Sequence, residues 1–149
     1  MIKLDDALSS VTALCFDTSP LIYFIERHPH YFKTVREIFR RVDSTAIAGY
    51  SSVITLTEVL TQPKRLQNPT VESEYRSLLL YSHNFNLIPI DYSIAESAAS
   101  LRARYRLRTP DALQLAVAFN SGCEAFLTND SALQRVTELR VLVIDQLEL

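Results

Sequence analysis

The chain has 149 residues, of which 48% are hydrophobic and 21% charged, and its net charge is −2 at neutral pH. These values predict one globular domain, residues 1–149, and argue against a disordered chain or two full-sized domains. No apolar run approaches the roughly 20 residues of a membrane helix, and the slightly acidic balance argues against a basic nucleic-acid coat.

The first half of the chain alternates short apolar runs with helical patterns. Thr18-Ser19-Pro20 offers a hydroxyl cap and a proline in the first turn, which favours a helix start, and Pro29 is expected to break that helix. Pro63 is expected to end a later one. The predicted elements are a strand at Val11–Phe16, a helix from Thr18, a helix through Tyr31, Val35, Ile38 and Val42, a strand at Ala46–Ile54 and a short helix at Thr55–Leu60.

The second half continues the same alternation. Asp91 is placed to cap a long helix, Ser93 and Glu96 have capping-box spacing, and Gly122 is typical of a helix C-terminus. The predicted elements are a helix at Glu72–Ser82, a strand at Leu87–Ile90, a helix with its core stripe at Ile94, Ala98, Leu101 and Tyr105, a helix from Thr109 to Gly122, a strand at Ala125–Leu127, a short helix at Ser131–Val136 and a strand at Val141–Ile144.

This alternation of strands and helices decides the fold class. Strands that are separated by helices pair mainly in parallel, and a parallel sheet is covered by helices on both faces. The sequence therefore predicts an α/β fold of three layers, with a central sheet of about five strands. Sites in such sheets lie at the carboxyl ends of the strands.

The N-terminal segment and the cysteines bear on location. Met1 to Ser10 lacks the basic-then-apolar plan of a secretion signal. Cys15 and Cys123 stand far apart in apolar contexts, without zinc-type spacing, and are interpreted as buried thiols in a reducing compartment. We therefore expect a cytoplasmic protein.

Four acidic residues occupy the positions where such a site is expected. Asp17 and Asp130 directly follow predicted strands, while Glu58 and Asp111 lie at the starts of helices that follow loops. Each also has a structural interpretation, because acids are common at helix starts, and Thr55 with Glu58 has capping-box spacing. Taken together, clustered carboxylates repel each other unless a hard cation such as Mg²⁺ or Mn²⁺ neutralises them.

The contexts of these acids carry a resemblance to a known family. Four segments, in this order and over residues 13–145, resemble the motifs of PIN-domain proteins, in particular the VapC-like toxin nucleases. They are Cys15–Tyr23, Ile54–Leu60, Thr109–Ala116 and Phe126–Asp130. The resemblance implies a PIN-like fold and a Mg²⁺- or Mn²⁺-dependent endoribonuclease that acts as the toxin of a toxin-antitoxin pair.

The resemblance also implies roles for particular residues and partners. Asp17, Glu58 and Asp111 would hold metal, directly or through water, and Asp130 would complete the catalytic pocket. Thr18 and Asn129 would orient water or phosphate, although helix capping explains them equally well. The implied partners are an RNA substrate, a small antitoxin protein and a second copy of the chain.

Four features keep two interpretations each. The arginines at positions 102, 104, 106 and 108 lead towards Asp111 and either bind phosphate or flank a buried helix face. The basic residues of the second helix, Lys33, Arg36, Arg40 and Arg41, have the same two interpretations. Aromatic residues near this helix either stack bases or pack in the core. An apolar face is either a partner contact or core; it comprises Leu21, Ile22, Phe24, Ile25 and Phe32.

The chain lacks the residues that several classes of function require. With only two glycines, Gly49 and Gly122, the chain has neither a phosphate-cradling loop nor a dinucleotide fingerprint. The three histidines have no ligand spacing, so no catalytic histidine is expected. Two alternatives stay open: a PIN-like module that binds RNA or protein without cleavage, and a nuclease acting on structured DNA.

Overall fold

The structure is a computed structural model that describes all 149 residues, and strands alternate with helices along it. The strands are β1 (Ile2–Lys3), β2 (Ala13–Phe16), β3 (Ala48–Ser52), β4 (Phe85–Ile88), β5 (Ala125–Thr128), β6 (Arg140–Val143) and β7 (Leu147–Glu148). The helices are α1 (Leu4–Leu8), α2 (Thr18–Ile25), α3 (Phe32–Asp43), α4 (Val53–Arg65), α5 (Pro69–Tyr81), α6 (Tyr92–Tyr105) and α7 (Thr109–Asn120), with 3₁₀ helices at Ser131–Arg135 and Ile144–Gln146.

The central sheet has five strands in the order β4-β3-β2-β5-β6, and every neighbouring pair is parallel. Side chains alternate between the two faces of a strand. On β2, Leu14 and Phe16 therefore join the core formed with α1 to α5, whereas Cys15 joins the core formed with α6 and α7. The predicted α/β fold, with a parallel five-stranded sheet between two helical layers, is confirmed.

The N-terminal segment forms structure that the sequence patterns did not predict. β1 pairs in parallel with β7 at the other end of the chain, in register Ile2 with Leu147. Helix α1 follows at once and buries Leu4, Ala7 and Leu8 against the core. Both elements are too short to show a period in the sequence, so only long-range pairing reveals them.

The boundary between β3 and α4 differs from the prediction in a way that matters for the site. The strand ends at Ser52 rather than Ile54, because the Ser52 hydroxyl accepts a hydrogen bond from the Ile54 amide and caps α4. The predicted capping box of Thr55 and Glu58 is therefore wrong, since Thr55 lies inside the helix and is fully buried. The helix also continues two residues past Pro63, where a missing amide costs only one bond near the helix end.

Other boundaries move by a few residues. Helix α5 begins at Pro69 rather than Glu72, because the side chain of Asn68 caps it by accepting from the Val71 amide. Strand β4 begins at Phe85 rather than Leu87. Asp91 caps α6 as predicted, through the Ile94 amide at 2.9 Å.

The two cysteines are free and buried, as predicted. Burial raises the pKa of the Cys15 thiol well above its ordinary value, and contact with Cys123 raises it further. No helix combines the length and the apolar character needed to cross a membrane.

Candidate functional site

One open pocket of about 330 Å³ gathers all four acidic residues that the sequence singles out. It lies at the carboxyl ends of the central strands β2 and β5, where sites of parallel sheets are expected. Its lining residues are Asp17, Thr18, Ser19, Ile22, Tyr23, Glu58, Arg108, Asp111, Thr128, Asn129 and Asp130. Arg108 is the only cationic side chain among them.

Asp17 is the carboxylate that sits deepest. It caps α2, with Oδ1 accepting from the Thr18 amide at 2.8 Å, and Oδ2 accepts from the Thr128 hydroxyl, also at 2.8 Å. Burial raises the pKa of Asp17, and the charges of Asp111 and Glu58 raise it further, against the two hydrogen bonds. The pocket therefore holds a carboxylate whose negative charge is costly.

Glu58 reaches the pocket from the second turn of α4, and its side chain is exposed. Because Ser52 caps this helix, Glu58 has no capping function. Its Oε1 accepts a hydrogen bond from the Thr18 hydroxyl at 3.1 Å. Thr18 thus donates to two acidic side chains, through its amide to Asp17 and through its hydroxyl to Glu58.

Asp111 and Asp130 reach the pocket from α7 and from the segment after β5. Asp111 lies in the first turn of α7, and its Oδ2 accepts from Arg108 Nε at 3.1 Å. Asp130 caps the 3₁₀ helix that begins at Ser131, with Oδ1 accepting from the Ala132 amide at 3.0 Å. Its own amide donates to the Thr128 hydroxyl, so Thr128 connects Asp130 with Asp17.

A buried amide behind the pocket was not singled out from the sequence. Gln114 is fully buried on α7, where its Oε1 accepts from the Ser52 hydroxyl and its Nε2 donates to the Thr55 hydroxyl at 2.6 Å. The same nitrogen lies 3.4 Å from the Thr18 hydroxyl and 3.5 Å from Asp17 Oδ1. A glutamine three residues after Asp111, on the same face of an apolar helix, was the available signal.

Asn129 joins the end of β5 to its surroundings. Its side chain donates to the Tyr23 hydroxyl at 3.1 Å and accepts from the Asp145 amide at 2.9 Å. Asn129 therefore lines the pocket and also accepts from a first-turn amide of the 3₁₀ helix at Ile144–Gln146. Tyr23 stacks on Tyr31, with ring centroids 4.9 Å apart, so these tyrosines form an aromatic cluster beside the pocket.

Of the arginines at positions 102, 104, 106 and 108, only Arg108 lines the pocket. Arg102 donates to the Leu107 carbonyl oxygen, and Arg104 pairs with Glu138. Arg106 ends α6 in a left-handed conformation. On the second basic stretch, Arg40 and Arg41 pair with Glu37. No histidine lines the pocket.

The donor chemistry of the pocket fits a hard divalent cation, because four carboxylates supply oxygen ligands and excess negative charge. The arrangement is not a preassembled ligand set, however: no three acidic, histidine or cysteine side chains are grouped closely enough to hold one ion. Each carboxylate instead has a protein partner, and for Asp111 that partner is a cation.

Comparisons with known proteins agree on the fold. The model of the family described as PIN domain matches residues 14–139. A search of curated proteins finds no significant match. A structure described as a toxin-antitoxin complex from Klebsiella pneumoniae is 27% identical, with a TM-score of 0.66, over 88% of this chain and 97% of that one. VapBC2 from Rickettsia felis, bound to a promoter DNA fragment, is 16% identical, with a TM-score of 0.70, over 88% of this chain and 98% of that one.

Proposed function

This chain belongs to the PIN-domain family, and on that premise we propose that it is a metal-dependent endoribonuclease, the toxin of a toxin-antitoxin pair. The observation that carries the proposal is the convergence of Asp17, Glu58, Asp111 and Asp130 on one pocket. These residues come from four segments that are well separated in the sequence. Independent helix caps would not need to meet at one point.

The proposed reaction is hydrolysis of an RNA phosphodiester bond with Mg²⁺ or Mn²⁺. Asp17, Glu58 and Asp111 would hold the ion, and Asp130 would complete the set. Such an ion, when bound, supplies an activated water and stabilises negative charge on the phosphate.

The chain's own residues prepare the pocket for this task. Thr128 and the Thr18 amide fix both oxygens of Asp17, and the Thr18 hydroxyl orients Glu58. These bonds restrict the carboxylates before any ligand arrives, which lowers the cost of ordering them on binding. Asn129 holds the rim of the pocket through Tyr23 and the Asp145 amide.

The proposed partners are a small antitoxin and a second copy of the chain. The relative from Klebsiella pneumoniae is described as part of a toxin-antitoxin complex. Of the apolar face expected to contact a partner, Leu21 is fully buried and belongs to the core. Phe24, Ile25 and Phe32 line an open groove together with Tyr81 of α5, which makes this groove our candidate for a partner contact. Light scattering of the isolated chain tests the dimer, and a strictly monomeric mass would exclude it.

We further propose that residues 1–149 act as one domain in the cytoplasm. Pairing of β1 with β7 ties the two ends of the chain together. The free, buried cysteines are consistent with a reducing compartment.

One observation favours a second candidate, a PIN-like module that binds RNA or protein without cleavage. Each carboxylate already has a structural partner, and no three of them are grouped for one ion. The two candidates differ in a single measurable property, which is cleavage.

The experiment compares RNA cleavage by the wild-type chain, Asp17→Asn and Asp91→Asn, using a structured RNA with Mn²⁺ or with chelator. Asp91 is a matched control, because it is also an aspartate that caps a helix through its side chain but lies outside the pocket. We expect cleavage by the wild type and by Asp91→Asn, and a loss of at least about 100-fold in Asp17→Asn. Cleavage that survives in Asp17→Asn or in chelator would refute the proposed site, and its absence in all proteins would favour the binding module.

A further inference from the structure

The Arg108–Asp111 ion pair has a position that the proposed reaction does not explain. Arg108 caps no helix with its side chain, and 78% of that side chain is exposed to solvent. An exposed arginine is free to extend into water, yet its Nε lies 3.1 Å from an oxygen of Asp111. Arg108 is also the only cationic side chain that lines the pocket.

The guanidinium acts on more than one carboxylate. The other three acids line the same pocket of about 330 Å³ as Arg108 and Asp111, so the guanidinium charge also acts on them through space. Arg108 therefore supplies the only positive side-chain charge to the acids of this pocket. Without a metal ion, this is the charge that limits repulsion among them.

Asp111 has one negative charge to share between a metal ion and the guanidinium, and the guanidinium already holds its Oδ2, so the two cations compete for this carboxylate. From this geometry we propose that Arg108 is a built-in counter-ion of the pocket, which must leave Asp111 before a divalent cation is held there. The affinity of the protein for metal is then set by competition with its own arginine. This inference depends on the metal-dependent site of the proposed function.

The same exchange links metal binding to the substrate. Once a cation takes over Asp111, the guanidinium of Arg108 is left at the rim of the pocket without its partner. A guanidinium fork matches the oxygens of a phosphodiester. The Arg108–Asp111 ion pair thus keeps the guanidinium from binding phosphate until the pocket holds a metal ion.

The test is calorimetric titration of MnCl₂ into the wild-type chain, Arg108→Gln and Arg40→Gln at constant ionic strength. Arg40 is a matched control, because it also pairs with an acid three positions away in sequence, has a 64% exposed side chain and lies outside the pocket. Both variants lose one positive charge, so long-range effects of net charge cancel. Arg108→Gln is expected to bind Mn²⁺ about two- to fivefold more tightly, as for release of an exposed ion pair.

A melting experiment on the same proteins guards against effects of misfolding. We expect Arg108→Gln to have a lower melting temperature than the wild type in chelator and a larger increase in melting temperature on addition of Mn²⁺. Arg108→Lys keeps the positive charge, so both of its values should lie between those of the wild type and Arg108→Gln. The inference would be overturned if Arg108→Gln bound Mn²⁺ no more tightly than the wild type. It would also be overturned if Arg40→Gln gained as much Mn²⁺ affinity as Arg108→Gln. Absence of Mn²⁺ binding in every protein would overturn it together with metal dependence. Mn²⁺ binding without RNA cleavage would refute only the proposed function.

Discussion

The buried amide of Gln114 should hold the floor of the pocket together, and replacing it by methionine isolates that role. Methionine has nearly the same length and volume, so Gln114→Met creates almost no cavity. It removes two hydrogen bonds, one from the Ser52 hydroxyl and one to the Thr55 hydroxyl at 2.6 Å. The contacts at 3.4 and 3.5 Å, with Thr18 and Asp17, are at the limit of hydrogen bonding and contribute little.

The expected loss follows from these two bonds. A net hydrogen bond contributes about 1 kcal/mol, so the free energy of unfolding should fall by about 2 kcal/mol. Ser52 keeps one bond, because its hydroxyl still accepts from the Ile54 amide at 3.1 Å. Thr55 is left as a fully buried hydroxyl without its strongest partner.

A double-mutant cycle with Thr55→Val makes the prediction specific. Thr55→Val alone leaves the Gln114 amide without a buried acceptor and should cost about 1–2 kcal/mol. The double variant removes both members of the same bond, so its loss should be smaller than the sum by about 1 kcal/mol. Urea unfolding followed by circular dichroism in the presence of chelator gives all three values. Gln62→Met, on the exposed face of α4, is the control and should change stability by less than about 0.5 kcal/mol. Additive losses would show that Gln114 and Thr55 do not interact in the way the distances indicate.

Two further predictions concern packing and pH. In Gly49→Ala the new Cβ would lie 2.7 Å from the Phe85 ring. We therefore expect urea unfolding to show a free energy of unfolding that is lower by about 1–3 kcal/mol. An unchanged urea midpoint would contradict this close packing. In the metal-free protein, Asp17→Asn should bring its largest gain in stability relative to the wild type at pH 7, because the pKa of Asp17 in the folded state lies above its ordinary value of 3.8 and its charged form is therefore disfavoured by folding. Asparagine keeps only one of the two acceptor oxygens, and that loss does not change with pH. The gain should shrink as the pH falls through the raised pKa towards 3.8, where the carboxyl becomes protonated in both states. Urea unfolding between pH 7 and pH 4 measures this difference, and a gain that grows at low pH would have the wrong sign.

The sequence was sufficient for the fold class because the relevant signals are local. Apolar runs such as Val11–Phe16 and helical stripes such as that of α6 repeat with the period of their element, whatever surrounds them. Parallel pairing then follows from the alternation of the two types. The same local signals placed Asp17 and Asp130 after strands, at the edge of the sheet where the structure has its acidic pocket.

Boundaries were less predictable where two local signals compete. Ser52 and Thr55 are both hydroxyl residues before an apolar stretch, and either is able to cap a helix. The structure selects Ser52, since Thr55 is needed in the interior as the partner of Gln114. Glu58 consequently lies one turn deeper in α4 than the predicted capping box would place it.

The sequence by itself determined most of the elements, though not β1, α1 and β7, and it placed Asp17 and Asp130 directly after strands, because periodicity, caps and proline positions act over a few residues. Only the tertiary structure decided what each acid contacts. Arg108 pairs with Asp111 within one turn, but Thr18 meets Glu58 and Gln114 meets Thr55 across distances of 40 and 59 positions in the chain. Such contacts depend on how strands and helices pack, and packing is set by the volumes and shapes of side chains that are remote in sequence.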